Sequence, residues 1–450
     1  MSNHWVDDGS AALLTDLYQF TMLQAYHRER MAQTAVFDLF VRRLPRDRNY
    51  LVACGLDDVL HYLENFRFPA EAIEYLASLE RFSTDFLDLL AALRFRGDVY
   101  AMPEGTPVFA NEPIVEIVAP LPQAQVVETF LLNQVSFQTM IASKAARVVT
   151  AAAGRTVVEF GLRRLHGTDA GMKAARASFI AGVGATSNVL AGMVYGIPVA
   201  GTMAHSYVEV HDSELDAFRA FVRVYPESTL LVDTYDTLEG IRNVIRLADE
   251  MGEDFRVRAV RLDSGDLASL AVDARRLLDD AGLRGVEIFA SGSLDEYGIT
   301  RLIDAGAPIT SFGVGTKMGV SADHPSLDSA YKLVAYAGRS RMKLSTGKSN
   351  LPGRKQVFRT ESRDQIALHD EAVEGRPLLV KAMQDGIRTP AGTRTLRQVA
   401  EHARAELARL PAALHAIEPA AAPYPVDVSP ALAAEVDQLR RDHGLHQDDP

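Results

Sequence analysis

Residues 157–206 read VVEFGLRRLHGTDAGMKAARASFIAGVGATSNVLAGMVYGIPVAGTMAHS, and the rest of the chain is organised around this stretch. Apolar runs at 156–159 and 197–200 predict two short buried strands, each followed at once by polar residues. The segment between them is rich in Gly and Ala, which suits close backbone approach and tight helix packing around a small ligand. We therefore expect an active site where these two strands end.

An alternation of strands and helices continues beyond this stretch. Apolar runs end near six residues, and most are followed by a helix-length amphipathic segment: Glu159, Ala200, Val232, Leu262, Ala290 and Phe312. Such alternation predicts parallel strands joined by right-handed crossovers, as an α/β barrel or as an open sheet. In both folds the sites lie at the carboxyl ends of the strands, so we expect the polar residues that follow them to face one mouth.

The remaining segments predict a second, sheet-containing region. Residues 95–120 carry β-branched and aromatic residues punctuated by Gly, Pro and Asn, which is typical of antiparallel strands and turns. We predict an N-terminal α+β domain over 1–140 that is completed by 340–400, an α/β barrel over 141–339, and a helical tail over 400–450. Within 330–360, a basic stretch predicts a hairpin turning at Pro352-Gly353 that rejoins the N-terminal sheet.

Composition excludes several classes of protein. The chain has 450 residues, 47% of them hydrophobic and 24% charged, as in an ordinary globular protein, and no apolar run is long enough to span a bilayer. Cys54 is the only cysteine, which excludes an intrachain disulfide and a cysteine zinc site. The acidic N-terminus lacks a secretory signal, so we expect a cytoplasmic protein. A net charge of −12 argues against nucleic-acid binding, so an anionic substrate requires a local cluster of Arg and Lys.

Two motifs at predicted strand ends suit a ribose or a phosphate. Gly313-Val314-Gly315-Thr316 could cradle phosphate with backbone N–H groups, although glycines also serve tight turns and the full dinucleotide spacing is absent. Asp263-Ser264-Gly265-Asp266 places two carboxylates on a tight turn, where they could bind ribose hydroxyls or hold Mg²⁺. The alternative is that Ser264 or Asp266 only caps the next helix.

Basic residues offer further candidates. His205 follows a predicted strand and precedes Ser206, a position that favours a functional histidine over a structural one. Arg163 suits a bidentate contact with a carboxylate or a phosphate, unless it pairs with a local acid. Lys144 and Arg147 are three residues apart on one predicted helix face, which usually means a solvated edge. A serine hydrolase is disfavoured because no Gly-x-Ser-x-Gly motif is present.

Six motifs in order make the chain resemble the nicotinate phosphoribosyltransferase family, over about residues 11 to 360. They are TDLYQFTM at 15–22, EFGLRR at 159–164, GTMAHS at 201–206, RLDSGD at 261–266, FGVGT at 312–316 and KLSTGKSNLPGRKQVFR at 343–359. The resemblance implies a type II phosphoribosyltransferase fold, which is an irregular parallel α/β barrel with an N-terminal α+β sheet domain, working as a homodimer with shared active sites. It also implies the substrates nicotinate and phosphoribosyl pyrophosphate, ATP as a co-substrate and Mg²⁺ as a cofactor.

The resemblance also implies roles for individual residues. Tyr18, supplied by the other subunit, and Phe160 would sandwich the pyridine ring, with Arg163 near its carboxylate. Asp263 would hold ribose hydroxyls, and His205 matches the histidine that this family phosphorylates from ATP. The other residues that we expect to bind substrate are Ser187, Ser206, Arg261, Ser264, Gly265, Gly292, Gly313, Gly315 and Thr316. Lys144, Arg147 and Lys348 are weaker candidates for the pyrophosphate charge.

One position bears on the choice of substrate. The nicotinamide-using relatives have an acid near the start of the TSNVLAG-like segment, where this chain has Ser187. A carboxylate there would repel nicotinate, so its absence favours the acid over the amide. Two alternatives remain: a quinolinate-using relative, whose chain is typically much shorter, and a non-catalytic nucleotide sensor on the same fold.

Overall fold

The computed structural model describes residues 5–345, 348 and 350–444. The chain forms two units, one made of Met1–Ser143 with Ser326–Pro450 and the other of Lys144–Pro325. The first four residues of the N-terminus, the last six of the predicted tail, and Thr346, Gly347 and Ser349 of the basic motif lie outside the described residues.

The N-terminal part of the first unit alternates strands with helices. Its strands are β1 (Thr34–Val41), β2 (Leu51–Val52), β3 (Asp98–Ala101), β4 (Pro107–Val108) and β5 (Pro113–Pro120). Its helices are α1 (Leu17–Arg28), α2 (Leu56–Glu64), α3 (Ala70–Ser78), α4 (Thr84–Ala92), α5 (Leu121–Val126) and α6 (Glu128–Ala151). The boundary between the two units falls inside α6, after Ser143.

The second unit follows the expected rhythm of strand and helix. Its strands are β6 (Thr156–Glu159), β7 (Ala185–Thr186), β8 (Thr229–Leu231), β9 (Ala259–Leu262), β10 (Glu287–Ala290) and β11 (Ser311–Val314). Its helices are α7 (Thr168–Ile180), α8 (Val189–Tyr195), α9 (His205–Glu209), α10 (Glu214–Val224), α11 (Thr237–Met251), α12 (Leu267–Asp280), α13 (Glu296–Asp304) and α14 (Thr316–Gly319).

These six strands form one parallel sheet, in the order β7-β6-β11-β10-β9-β8. The parallel arrangement that the sequence predicts is therefore confirmed, as half of a barrel. Buried Val, Ile, Leu and Phe side chains fill the strands, as expected for a parallel sheet that is covered on both faces. All strands of such a sheet run the same way, so the polar residues after β8, β9 and β10 share one edge.

The chain then returns to the first unit. The returning strands are β12 (Ser329–Tyr336), β13 (Arg339–Ser340), β14 (Lys355–Arg359), β15 (Asp364–Leu368), β16 (Arg376–Pro377), β17 (Val380–Gln384), β18 (Ile387–Arg388) and β19 (Val426–Val428). The helices here are α15 (Leu396–Ala408) and α16 (Pro430–Asp442). No helix among the described residues is both long enough and apolar enough to cross a membrane.

Two parts of the sequence build the main sheet of the first unit. Its seven strands follow the order β13-β12-β1-β5-β3-β17-β18, with β1 antiparallel to both β5 and β12. A second sheet has the order β16-β14-β15-β19, and its last strand comes from the region predicted as a helical tail. The sequence predicted that the chain rejoins the N-terminal domain at residue 340. In the structure it does so earlier, because β12 already pairs with β1 from Ser329 onward.

The hairpin of the basic stretch turns at a different position from the predicted one. The turn joins β12 to β13 at Ala337-Gly338, where both residues have positive φ angles of 52° and 74°. Left-handed conformations at two central residues match the twist of a two-residue hairpin. Pro352-Gly353 instead precedes β14, which belongs to the other sheet.

Two local predictions in the second unit are wrong. Residues 197–200 form a single bridge between Val199 and Thr186 instead of a buried strand, and Val199 is exposed. Lys144 and Arg147 are not a solvated edge, because both side chains are buried. Apolar composition alone does not separate a strand from an exposed apolar segment, and charge alone does not indicate exposure.

Candidate active site

Arg261 is the centre of a polar cluster at the carboxyl ends of the parallel strands. Its Nε donates to Ser291 Oγ at 2.8 Å and its Nη1 to Thr202 Oγ1 at 3.0 Å, while Nη2 donates to Asp263 Oδ1 at 2.7 Å. The guanidinium is planar and its donors have fixed directions, so contacts with three separate segments define its orientation.

Asp263 is held as a carboxylate next to this arginine. Its Oδ1 also accepts a hydrogen bond from the hydroxyl of Ser291. Burial raises the pKa of Asp263, but the Ser291 hydrogen bond and the charge of Arg261 outweigh that effect and bring the pKa below its usual value. Asp263 is thus ionised at neutral pH and can accept hydrogen bonds from ligand hydroxyls.

Asp233, which follows β8, supports the turn that carries Asp263. Its Oδ2 accepts from the backbone N–H of Asp263 at 3.0 Å and from the hydroxyl of Ser264 at 2.6 Å. Its Oδ1 is buried and has no hydrogen-bond partner among the described residues. Asp233, Thr202 and Ser291 are among the polar residues that were expected to face the mouth, because each follows a predicted strand, but the sequence predicted no substrate-binding role for them.

His205 begins α9 and lies at the edge of the cluster. Its Nδ1 is 3.2 Å from Thr234 Oγ1, and its Nε2 is 3.9 Å from Asp263 Oδ2, which is too long for a hydrogen bond. The imidazole is 40% exposed, so a ligand can reach it. The next residue, Ser206, is also exposed.

Phe160 forms an apolar wall beside Arg261. The guanidinium carbon of Arg261 lies 5.3 Å from the centroid of the Phe160 ring, and the centroids of the Phe160 and Phe289 rings are 5.7 Å apart. A Cβ at Gly313 would meet the Phe160 ring, and one at Gly315 would meet the Phe160 carbonyl. The two glycines therefore allow close packing against Phe160, in addition to any contact with a ligand.

A buried acid organises the neighbouring strand ends. Glu159 accepts hydrogen bonds from the backbone N–H of Gly161 and, at 2.7 Å, from the hydroxyl of Thr186. Burial raises the pKa of Glu159 above its usual value. The backbone N–H of Ser187 donates to the Glu159 carbonyl at 2.9 Å, so Ser187 is fixed at the end of β7. Arg163 is exposed in a 3₁₀ turn, where no described residue forms an ion pair with it.

The two acidic residues of the Asp263–Asp266 turn have different tasks. Asp266 caps α12 by accepting from Ser269, as the alternative interpretation proposed. Gly265 and Gly292 adopt positive φ angles of 81° and 100°, which favour glycine. Gly315 precedes α14 and Thr316 begins it, a helix of only four residues.

Tyr18, on α1, and the weaker candidate Lys348 belong to the first unit, whereas the other predicted site residues belong to the second. Tyr18 is 46% exposed. Burial of the hydroxyl and the charges of Glu128 and Asp16 raise the pKa of Tyr18 to about 12, so the phenol stays neutral at physiological pH. Tyr18 can therefore offer an uncharged aromatic face to a ligand.

The half-barrel and its site place the protein among α/β enzymes that bind ligands at the carboxyl ends of parallel strands. Two family models match the chain: the nicotinate phosphoribosyltransferase N-terminal domain over residues 13–136, and the nicotinate phosphoribosyltransferase family over residues 156–350. Nicotinate phosphoribosyltransferase pncB2 of Mycobacterium tuberculosis is 53% identical over 434 residues, which cover 95% of this chain and 94% of the relative.

Other relatives agree. The nicotinate phosphoribosyltransferase of Bacillus subtilis is 43% identical over 394 residues, covering 84% of this chain and 80% of the relative. The crystal structure of human nicotinic acid phosphoribosyltransferase matches with a TM-score of 0.84 at 30% identity, covering 94% of this chain and 99% of that one. The chain belongs to the nicotinate phosphoribosyltransferase family.

Proposed function

We propose that this protein joins nicotinate to phosphoribosyl pyrophosphate, giving nicotinate mononucleotide and pyrophosphate, as a step of NAD salvage. The observation that carries the proposal is the ionised Asp263, which accepts hydrogen bonds from Arg261 and Ser291 at the mouth of the half-barrel. In this reaction the bond from the sugar carbon to pyrophosphate breaks and a bond to the ring nitrogen of nicotinate forms. Positive charge develops on the ribose, and negative charge develops on the departing pyrophosphate.

The geometry supports a role for each group. Asp263 accepts the ribose hydroxyls and stabilises positive charge on the sugar, whereas Arg261 lies within reach of anionic oxygens at the same edge. Phe160 supplies a stacking surface for the pyridine ring, and exposed Arg163 supplies the partner for its carboxylate. Ser187 occupies the position where an acid would disfavour nicotinate, which is why we propose nicotinate over nicotinamide.

Mg²⁺ is part of the proposal as a companion of the substrate. Among the described residues, no group of three or more His, Cys, Asp or Glu could hold a metal ion by itself. Mg²⁺ commonly binds through one or two carboxylates together with substrate phosphates and water. Asp263 and the unpartnered Oδ1 of Asp233 fit that donor set, and the bound ion would supply positive charge to the pyrophosphate.

ATP coupling through His205 is also proposed. A ring nitrogen of His205 attacks the γ-phosphorus of ATP, the bond to the bridging oxygen breaks, and ADP leaves with the electron pair. Water later cleaves the N–P bond and releases phosphate. The exposed imidazole supports this role, because its Nε2 makes no hydrogen bond with the described residues. A phosphoryl group there would add negative charge and acceptor oxygens beside Arg261 and Asp263.

A homodimer completes the proposal. Four apolar residues of α8, which directly follows Ser187 and Asn188, are 51% to 76% exposed: Val189, Leu190, Met193 and Val194. Apolar surface of this kind is typical of protein interfaces. Tyr18 lies beside a second exposed apolar group, Leu14 and Leu17, and we propose that it enters the active site of the partner subunit.

Turnover with defined substrates tests the function. The protein is incubated with phosphoribosyl pyrophosphate, Mg²⁺ and either nicotinate, nicotinamide or quinolinate, with and without ATP, and mononucleotide formation is followed. Of the three pyridine substrates, we expect only nicotinate to give product rapidly. We expect ATP to accelerate this reaction. Equal turnover of nicotinate and nicotinamide would refute the specificity, and no product from any of the three would support the nucleotide sensor.

His205→Ala separates coupling from transfer. The variant should retain slow transfer that ATP no longer accelerates, because the phosphoryl acceptor is missing while Arg261 and Asp263 remain. Acceleration by ATP in His205→Ala would show that the coupling does not use this histidine.

A further inference from the structure

Glu296 is a completely buried acid that the proposed chemistry does not use. Its side chain has no exposed surface, and it lies in the first turn of α13, directly after the helix cap Asp295. A carboxylate is costly to bury without partners, so its contacts define its purpose.

Within the described part of the chain, the Glu296 carboxylate contacts two cations, and both come from α6. Lys144 Nζ lies 2.8 Å from Glu296 Oε1 and 2.6 Å from Oε2, and Arg147 Nε donates to Oε1 at 2.8 Å. Arg147 also donates to the hydroxyl of Tyr297 at 3.1 Å. The charges of Lys144 and Arg147 are therefore engaged inside the protein, which removes them as candidates for the pyrophosphate.

The same cluster reaches the segment after β11 in two ways. Lys144 forms a second ion pair, at 2.8 Å, with Asp323, which follows α14. Asp295 accepts from Lys317 of α14 at 2.7 Å while it also caps α13 through the backbone of Gly298. The start of α13 and the segment from α14 to Asp323 are thus joined by an ion-pair network, which we call the Glu296 network.

The Glu296 network adjoins two loops of the site. The loop from β10 to α13 carries Ser291 and Gly292, and Ser291 holds both Arg261 and Asp263. Gly315 joins β11 to α14, and Thr316 begins that helix immediately before Lys317. A change in the network would therefore shift both loops, because buried ion pairs depend on accurate geometry.

We propose that Glu296 is a positioning residue that sets the spacing of these two loops for the phosphate-bearing substrate. The inference rests on the proposed function, since the loops are expected to meet phosphoribosyl pyrophosphate. Glu296 itself touches no substrate and acts through α13, Lys144 and Lys317. Its loss should therefore weaken binding of the phosphorylated substrate more than binding of nicotinate.

Glu296→Gln tests this with steady-state kinetics on the full-length protein. We expect the KM for phosphoribosyl pyrophosphate to rise about tenfold or more, while the KM for nicotinate changes less than about twofold. The melting temperature should also fall, because two buried cations lose part of their neutralisation. Glu296→Asp keeps the negative charge on a shorter side chain. This variant should fold, and its KM for phosphoribosyl pyrophosphate should rise less than that of Glu296→Gln.

Glu406→Gln is the matched control. Glu406 is also a buried glutamate with two cationic partners, Arg376 and Arg409, but it lies on α15 of the first unit. This variant should lose stability with both KM values unchanged. The inference is overturned if Glu296→Gln, like this control, loses stability with both KM values unchanged. If Glu296→Gln does not fold, the inference is overturned when Glu296→Asp loses stability with an unchanged KM for phosphoribosyl pyrophosphate.

Calorimetry with phosphoribosyl pyrophosphate and Mg²⁺ separates the two proposals. If the wild type binds this ligand but turns over no pyridine substrate, the proposed function fails, and a weaker affinity of Glu296→Gln still supports the positioning role. If the wild type does not bind it, the positioning role is overturned as well.

Discussion

Gly292 shows how the conformation of one residue constrains the site. Its φ of 100° favours glycine, and a Cβ would overlap the backbone carbonyl of Asp263. Neither the carbonyl nor the neighbouring strand can move without disturbing the contacts among Arg261, Asp263 and Ser291.

Gly292→Ala should therefore lower both stability and activity. We expect a melting temperature several degrees lower and a fall in kcat/KM of about a hundredfold, because the Asp263 turn must shift. Gly285→Ala is the control, since a Cβ there would meet no atom within 4 Å. Wild-type kinetics for Gly292→Ala would show that the turn tolerates the side chain.

The sequence identifies residues best where chemistry and position coincide. Arg261 and Asp263 are polar residues at the end of a predicted strand, and the structure brings them into direct contact. Lys144 and Arg147 were misjudged because their neutralising acid, Glu296, lies about 150 positions away and only tertiary packing brings it close. The partners of a buried charge cannot be read from the charge itself.

At the level of elements, an ion pair between strands attaches β14 to β1. Lys355 Nζ is 2.8 Å from Asp38 Oδ2, and both side chains are buried. Asp38 also faces Glu116 across the β1–β5 ladder, and Glu116 accepts from the backbone N–H of Lys355 at 3.0 Å. Burial raises the pKa of Asp38 to about 7, in spite of the opposing effect of Lys355.

Asp38 should make stability depend on pH. Because its pKa is higher in the folded protein than in the unfolded chain, its contribution is complete below about pH 4 and is lost as the pH rises towards 7. Asp38→Asn cannot titrate. From pH 5 to pH 8 the wild type should lose roughly 2.5 kcal/mol of stability relative to the variant, measured by urea unfolding. Parallel pH profiles would contradict this assignment.

Strands were predicted well where burial is continuous and poorly where a local turn signal indicated the wrong turn. β6 and β9 coincide with apolar runs that end at Glu159 and Leu262. The basic stretch was misread because a Pro-Gly pair is a strong local turn signal, whereas β14 forms its hairpin with β15, the next strand of the chain.

For the whole molecule, oligomerisation is the main open prediction. An exposed apolar face on α8 and the exposed Tyr18 both support a dimer with shared sites. A stable interface of this kind buries about 1,600 Å² in total.

Met193→Glu should dissociate the proposed dimer, because a carboxylate on α8 would be buried without a partner in the proposed interface. We expect the monomer mass by light scattering, together with low activity because the partner's Tyr18 is lost. Ile387→Glu is the control, since Ile387 is similarly exposed at 71% but lies on β18. A wild-type mass for Met193→Glu would exclude α8 from the interface.

The architecture as a whole was predictable because strand–helix alternation is a long-range regularity, whereas the limits of the units were not. No local feature of the sequence assigns β12 to the antiparallel sheet. Only its pairing with β1 in the structure shows that it belongs there. Likewise β19 is three residues long and pairs in parallel with β15, far from it in sequence.

The interleaved topology of the first unit has a consequence for synthesis on the ribosome. Residues 144–325 emerge as one contiguous block, so all of the unit's internal contacts are available once the block has left the exit tunnel. By contrast, β1 has to wait for β12, and the second sheet cannot be completed until β19 has been translated. The nascent chain therefore carries an unpaired strand edge for most of its synthesis, and this is the interval in which it most needs chaperones.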